Sequence, residues 1–100
     1  MKKIALLEDS IKDEGYIRLL GPIAKKYGYE LILFDLSTAC LRKSLDKVLL
    51  EKPGIIVIDI KYNNSEISQY LRKTATLFYK PYETSLLVDY LASGKEMEFV

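Results

Sequence analysis

The chain contains no histidine and a single cysteine, Cys40. The lack of histidine excludes Ser-His-Asp and Cys-His catalysis, imidazole metal ligands and the usual pH switch near neutrality. A lone cysteine excludes an intrachain disulfide and a thiolate zinc cluster, and Cys40 is interpreted as a small buried hydrophobe. Catalytic or binding chemistry is therefore expected from carboxylates, lysines, hydroxyls and tyrosines.

Long apolar runs and an excess of one charge are also lacking. No run approaches the ~18 residues of a membrane span. Glu8 ends the run Ile4–Leu7, which is too short for a signal-peptide core. The 15 Lys and Arg residues balance 14 Asp and Glu residues, so charge alone gives no reason to expect nucleic-acid or membrane binding. We therefore expect a cytoplasmic protein.

With 49% apolar residues in a length of 100, the chain is expected to form one globular domain over residues 1–100. Short apolar runs predict four strands, at Ile4–Leu7, Leu31–Phe34, Ile55–Ile60 and Ala75–Tyr79. Segments with apolar residues at helical spacing follow each of them. This alternation favours an α/β fold, an open parallel sheet with helices on both faces.

Capping and stop signals set the limits of the predicted helices. The first is expected to open at Ser10 and to end before Gly28. Gly21-Pro22 is expected to kink or divide it, because proline lacks an N–H donor and clashes with the preceding turn. The other three helices are predicted from Ser37 or Thr38 to Pro53-Gly54, after Ser65, and from Glu83-Thr84 to Gly94.

Charged side chains follow three of the predicted strands. Glu8 and Asp9 come directly after the first strand, Asp59 lies near the end of the third, and Lys80 follows the fourth. Ligands of open α/β sheets bind beyond the carboxyl ends of the strands, and converging carboxylates suit Mg²⁺. Helix capping or solvation is the alternative interpretation of any single acid. The three groups together predict a site.

Four segments of the chain, in this order, resemble a response-regulator receiver domain: Lys3–Ser10 (KIALLEDS), Lys26–Glu30 (KYGYE), Glu51–Ile60 (EKPGIIVIDI) and Tyr79–Tyr82 (YKPY). The resemblance implies a flavodoxin-like fold and two-component signalling. It implies that Glu8 and Asp9 form an acidic pair that binds Mg²⁺ together with Asp59. It also implies that Asp59 accepts a phosphoryl group from a histidine kinase. Lys80 is then the residue that contacts the phosphoryl group, before a Lys-Pro bond that is commonly cis.

The chain departs from the receiver pattern in two places. Glu8 stands where the family has aspartate, and the segment between Asp59 and Lys80 is shorter than the roughly 30 residues of a complete βαβ unit. The chain therefore looks like a receiver without its fourth strand and fourth helix, which predicts four strands in the order 2-1-3-4. The absent strand normally ends in the hydroxyl residue that follows the phosphoryl group. Thr76 is the candidate for that switch hydroxyl.

Three functions stay open on the sequence alone. The first is a stand-alone receiver-like signalling domain that accepts a phosphoryl group at Asp59 from a histidine kinase or other phosphodonor and then contacts a downstream protein. The second is a pseudo-receiver, a binding or dimerising module that works without phosphorylation. The third is a Toprim-like metal-dependent enzyme, although that family places a second acid where this chain has Lys61.

An uncovered sheet edge is expected beside Ala75–Tyr79. Such edges invite pairing, so a homodimer is a further expectation. The tail Glu96–Val100 ends in two hydrophobic residues and is either frayed or docked, with a place in a dimer contact as one option.

Overall fold

The computed structural model describes residues 2–8, 14–36 and 41–94, which form a parallel sheet between two layers of helices. The strands are β1 (Lys2–Glu8), β2 (Tyr29–Asp35), β3 (Ile55–Asp59) and β4 (Thr76–Lys80), and the helices are α1 (Glu14–Lys26), α2 (Leu41–Leu50), α3 (Ser65–Arg72) and α4 (Thr84–Ser93). The four strands lie in the order β2-β1-β3-β4, all parallel to their neighbours. The predicted fold class and strand order are confirmed.

The two central strands read as continuous apolar runs because helices cover both faces of the sheet. Residues 4–7 of β1 and 55–58 of β3 are all buried. Alternate side chains point to opposite faces. One face packs against Tyr16, Leu20 and Ala24 of α1 and Leu87 and Leu91 of α4. The other face packs against Leu45 and Val48 of α2 and Leu71 of α3.

Strand β3 ends one residue earlier than the sequence suggests. The predicted strand Ile55–Ile60 stops at Asp59, and Ile60 begins a single 3₁₀ turn, Ile60–Tyr62. Asp59 caps this turn, since its Oδ1 accepts a hydrogen bond from the backbone N–H of Lys61 at 2.9 Å. A short acidic side chain that bonds to the backbone two residues ahead favours a turn over a strand. Asp59 therefore lies at the end of β3 and not inside it.

Helix α1 is one continuous helix that contains Pro22, so of the two effects predicted for Gly21-Pro22, a kink or a division, the division does not occur. A residue before proline normally avoids helical geometry because its Cβ meets the proline ring. Gly21 has no Cβ, which allows the helix to continue. Helix α3 is capped by Asn64, whose Oδ1 accepts a hydrogen bond from the Ile67 N–H at 2.9 Å, rather than by Ser65.

The remaining predicted limits have mixed outcomes. Helix α4 ends at Gly94, whose φ of 66° is the left-handed conformation that favours glycine at a helix end. The predictions made at Ser10, at Ser37 to Cys40 and at Glu96–Val100 lie outside the described residues. Across the described ranges, no helix combines the length and the apolar character that crossing a membrane requires.

The edge of β4 is covered at one residue by the turn that follows it. The backbone N–H of Tyr79 donates to Oε1 of Glu83 at 2.7 Å, and the Glu83 N–H donates to the Tyr79 carbonyl at 2.8 Å. Both outward-facing backbone groups of Tyr79 are therefore satisfied within the chain. Lys80, a charged residue of this edge strand, also disfavours pairing of β4 with another sheet.

Replacing Pro22 with alanine is expected to raise the free energy of unfolding by about 1 to 3 kcal/mol. Alanine restores the missing N–H donor and removes the ring from the interior of α1. Pro22 is exposed, so the change opens no cavity. Urea denaturation monitored by circular dichroism measures the difference. Lys25→Ala, in the same helix, is the control and should change the value by less than about 0.5 kcal/mol. A lower free energy of unfolding for Pro22→Ala would show that the proline is not a defect in this helix.

Candidate functional site

Three of the predicted site residues lie side by side at the carboxyl ends of adjacent strands. Leu7 pairs with Ile58, which puts Glu8 level with Asp59, and Asp59 pairs directly with Lys80. Residues at the same level of neighbouring strands point to the same face. Here that face is the one covered by α1 and α4, because residues two positions earlier on each strand belong to that core. We call this row, with Asp35 at the end of β2, the carboxyl edge.

Lys80 and Glu8 form a buried ion pair across the sheet. The Lys80 ammonium donates to Oε1 of Glu8 at 2.6 Å and to Oε2 at 2.8 Å. Glu8 is 4% exposed and Lys80 is 3% exposed. Neighbouring strands are about 4.8 Å apart, and β3 separates β1 from β4. The Lys80 side chain therefore extends over the level of Asp59 to reach Glu8.

The ion pair is bidentate, which compensates for its desolvation. Two charges removed from water lose several kcal/mol of hydration each, and only good geometry recovers that loss. Both carboxylate oxygens of Glu8 receive a hydrogen bond from the one ammonium group. Among the described residues, no buried polar side-chain atom is left without a hydrogen-bond partner. Each member of the pair thus compensates the buried charge of the other.

Tyr16 of α1 covers the Lys80 ammonium and ties it to the turn after β4. The ammonium lies 5.3 Å from the centre of the Tyr16 ring, within cation–π distance. The Tyr16 and Thr84 hydroxyls lie 3.1 Å apart, and Thr84 donates to the Pro81 carbonyl at 2.8 Å. Since the single Thr84 hydroxyl hydrogen goes to Pro81, Tyr16 is the donor to Thr84. The Lys80–Pro81 peptide bond within this ring of contacts is cis.

Sequence reasoning missed Tyr16 and Thr84. The helical spacing predicts Ile17, Leu20, Ala24 and Tyr27 on the inward face of α1. The structure buries Leu20 and Ala24 as predicted, but it also buries Tyr16, while Ile17 and Tyr27 are only partly buried. The spacing of Tyr16, Leu20 and Ala24 by four was the available signal. A hydroxyl at the tip of a buried ring needs a partner, which would have pointed to a polar group beyond the sheet edge.

The other predicted site residues lie elsewhere. Asp9 is outside the described residues. Thr76, the candidate switch hydroxyl, begins β4 and pairs with Ile55, at the opposite end of the strand from Lys80. At about 3.3 Å per residue the two are roughly 13 Å apart. The Thr76 hydroxyl lies 3.4 Å from that of Tyr90. The structure thus brings Glu8, Asp59 and Lys80 together and does not bring Thr76 to them.

The carboxyl edge has the donor type that magnesium prefers, but its acids are already engaged. Mg²⁺ binds one or two carboxylates and several waters, and Glu8 and Asp59 supply such oxygens. Both oxygens of Glu8 are held by Lys80, and one oxygen of Asp59 accepts from the Lys61 N–H. Within the described ranges, no three potential metal-binding side chains cluster. The residues fit a magnesium ion in chemical type once Lys80 moves away from Glu8.

A scan against protein-family models, a search of curated proteins and a search of solved structures each found no match to this chain. The carboxyl edge and its neighbours are therefore the basis on which a function can be inferred.

Removing either charge of the ion pair is expected to destabilise the fold more than removing both. Glu8→Leu or Lys80→Met alone removes the bidentate partner of a buried charge and should lower the free energy of unfolding by about 3 to 5 kcal/mol, whereas the double variant should be close to the original protein. Urea denaturation of the four proteins measures the coupling.

The exposed pair Glu14–Arg18, with a separation of 3.8 Å, provides the control. Glu14→Gln should change the free energy of unfolding by no more than about 0.5 kcal/mol. If the effects of Glu8→Leu and Lys80→Met simply add, the pair is not the interdependent unit described above.

Proposed function

We propose that the chain is a receiver-like signalling domain that accepts a phosphoryl group on Asp59 and acts through contact with other proteins. One observation carries the proposal. Lys80 extends from β4 across β3 to Glu8, so its side chain passes over the level of Asp59 and its ammonium lies at Glu8 on the next strand. A phosphoryl group on Asp59 would therefore form beside a buried cation that already has an anionic partner.

The position of Asp59 supports its role as the acceptor. It is the last residue of β3 and only half-buried, so a phosphodonor has access to its carboxylate. In the proposed step an Asp59 carboxylate oxygen attacks the phosphorus of a phosphohistidine. The phosphorus–nitrogen bond breaks, and the imidazole leaves with the bonding electron pair and takes up a proton. The product is an acyl phosphate on Asp59.

Lys80 and Glu8 would change partners during this step. The phosphoryl group brings more negative charge next to the ammonium than one carboxylate carries, so Lys80 is drawn from Glu8 toward the phosphoryl oxygens. Preorganised positive charge of this kind stabilises a transferring phosphoryl group. Glu8 is then left as a carboxylate beside Asp59.

The resemblance to receivers adds magnesium to this proposal. Asp59 and Glu8, together with Asp9 from the family pattern, are the residues that would hold it. Bound there, the ion would supply positive charge to the phosphoryl oxygens. The release of Glu8 by Lys80 links the two events, because the same carboxylate serves the ammonium before transfer and is available to the metal afterwards.

Incubation with Mg²⁺ and an acyl phosphate donor is expected to add the mass of one phosphoryl group to the intact protein. Asp59→Asn should abolish the adduct, because an amide lacks the nucleophilic carboxylate oxygen. Asp35→Asn is the matched control, since Asp35 ends β2 level with Glu8 and is exposed. Intact-mass spectrometry reads the result. An adduct that survives Asp59→Asn and disappears with Asp35→Asn would show that the acceptor is Asp35 on β2 and not Asp59 on β3.

The ion pair also favours the second candidate, a pseudo-receiver that binds or dimerises without phosphorylation. Glu8 and Lys80 satisfy each other in the buried state, and a site built for phosphate would have to break this pair. Measurement of molecular size, with and without Mg²⁺ and beryllium trifluoride as a phosphoryl mimic, separates the two. A change in size supports the first candidate, and an unchanged dimer together with no mass adduct supports the second.

A further inference from the structure

We infer that Tyr16 is a positioning residue. When Lys80 changes the group that it binds, Tyr16 transmits that change to the first turn of α4. The inference concerns the regulation of the site and rests on the proposed function for the event that moves Lys80 in the cell. Its structural basis is a closed ring of contacts: Lys80 to the Tyr16 ring, Tyr16 to Thr84, and Thr84 to Pro81, the residue after Lys80.

The two ends of the Tyr16 side chain have different partners. The ring faces the Lys80 ammonium at 5.3 Å, so it responds to the position of the charge. The hydroxyl donates to Thr84, the first residue of α4, at 3.1 Å. Tyr16 is buried, so its ring has little room to move at one end without moving at the other. A displacement of the Lys80 ammonium therefore also displaces the Tyr16 hydroxyl.

Among the residues that the structure describes, few other hydrogen bonds hold the turn between β4 and α4. The Thr84 N–H donates to the Pro81 carbonyl at 3.2 Å, and Glu83 is joined to Tyr79 through its N–H and its carboxylate. Glu83 makes no side-chain cap for α4. The Thr84 hydroxyl on the Pro81 carbonyl thus has a large share in fixing where the helix begins. Weakening the bond from Tyr16 to Thr84 loosens the start of α4.

The residues that would report this change to a partner are apolar and exposed. Tyr82 in the turn is 77% exposed, and Leu86 in the first turn of α4 is 55% exposed. A shift of the turn changes how these two side chains are presented. In the full receiver pattern a hydroxyl from the absent strand responds to the phosphoryl group. Here the response would travel through Lys80 and Tyr16 instead.

Amide hydrogen exchange, measured by NMR, tests the inference at two reporter groups. The Glu83 N–H donates to the Tyr79 carbonyl at 2.8 Å, and the Leu87 N–H donates to the Glu83 carbonyl at 3.0 Å. Replacing the ion pair with Glu8→Leu/Lys80→Met removes the ammonium together with the carboxylate that it binds. This change should accelerate exchange of both amides about threefold to tenfold, the loss expected for about one hydrogen bond.

The same replacement in a Tyr16→Phe background should change these rates by less than about twofold, because phenylalanine keeps the ring and lacks the hydroxyl that transmits the change. Tyr90→Phe is the matched control. It removes a phenol hydroxyl that contacts Thr76 at the other end of β4. In the Tyr90→Phe background the ion-pair replacement should therefore still accelerate exchange of both amides. An equal acceleration with and without the Tyr16→Phe change would overturn the inference.

A second arm uses Mg²⁺ and beryllium trifluoride on the unaltered protein and on Tyr16→Phe, with binding followed by fluorine NMR. Binding together with faster Glu83 and Leu87 exchange only when Tyr16 is present supports both proposals. Binding without that dependence leaves Asp59 as the acceptor and overturns the role of Tyr16. No binding, with coupling still seen in the ion-pair replacement, overturns the phosphoryl-acceptor proposal and leaves Tyr16 as a coupling residue.

Discussion

The Glu8–Lys80 ion pair constrains the arrangement of the sheet because it joins strands that are not neighbours. Lys80 lies on the edge strand, Glu8 lies on a central strand, and β3 passes between them. A slip of β4 by one residue would turn Lys80 to the other face of the sheet and separate it from Glu8. Apolar burial alone tolerates such slips better, since Leu77, Phe78 and Tyr79 offer hydrophobic surface to both faces. The ion pair therefore selects one register for the edge strand.

Two consecutive residues, Tyr79 and Lys80, hold the edge strand β4 on both faces of the sheet and on its open side. Lys80 points toward α1 and α4, where it meets Glu8 and Tyr16. Tyr79 points to the opposite face, where its hydroxyl is hydrogen-bonded to Ser68 of α3. Its backbone groups face outward and bond to Glu83. These contacts explain how a strand of five residues stays in place at the end of the sheet.

The sequence was sufficient to predict the elements because those depend on local patterns, whereas the strand order was predicted from the resemblance to receivers. Apolar runs, helical spacing and the Lys-Pro after the last strand can all be identified without knowledge of contacts. The site was only half predictable. That Glu8, Asp59 and Lys80 share an edge follows from their places after parallel strands, but which acid binds the lysine depends on side-chain reach across the sheet. Asp59 can continue β3 or cap the turn that follows it, and the two differ by one residue in where the strand ends. Hydrophobic periodicity does not resolve a difference of that size.

The direct pairing of β3 with β4 explains why a glutamate suits position 8. With no strand between β3 and β4, Lys80 is the direct neighbour of Asp59, at a strand spacing of about 4.8 Å. A lysine side chain is longer than this spacing, so its ammonium passes beyond Asp59 and arrives over the gap between β3 and β1. An aspartate on β1 would stop short of that point, whereas Glu8, with one more methylene, meets the ammonium with both oxygens. A glutamate at position 8 therefore suits a sheet in which β4 lies directly beside β3.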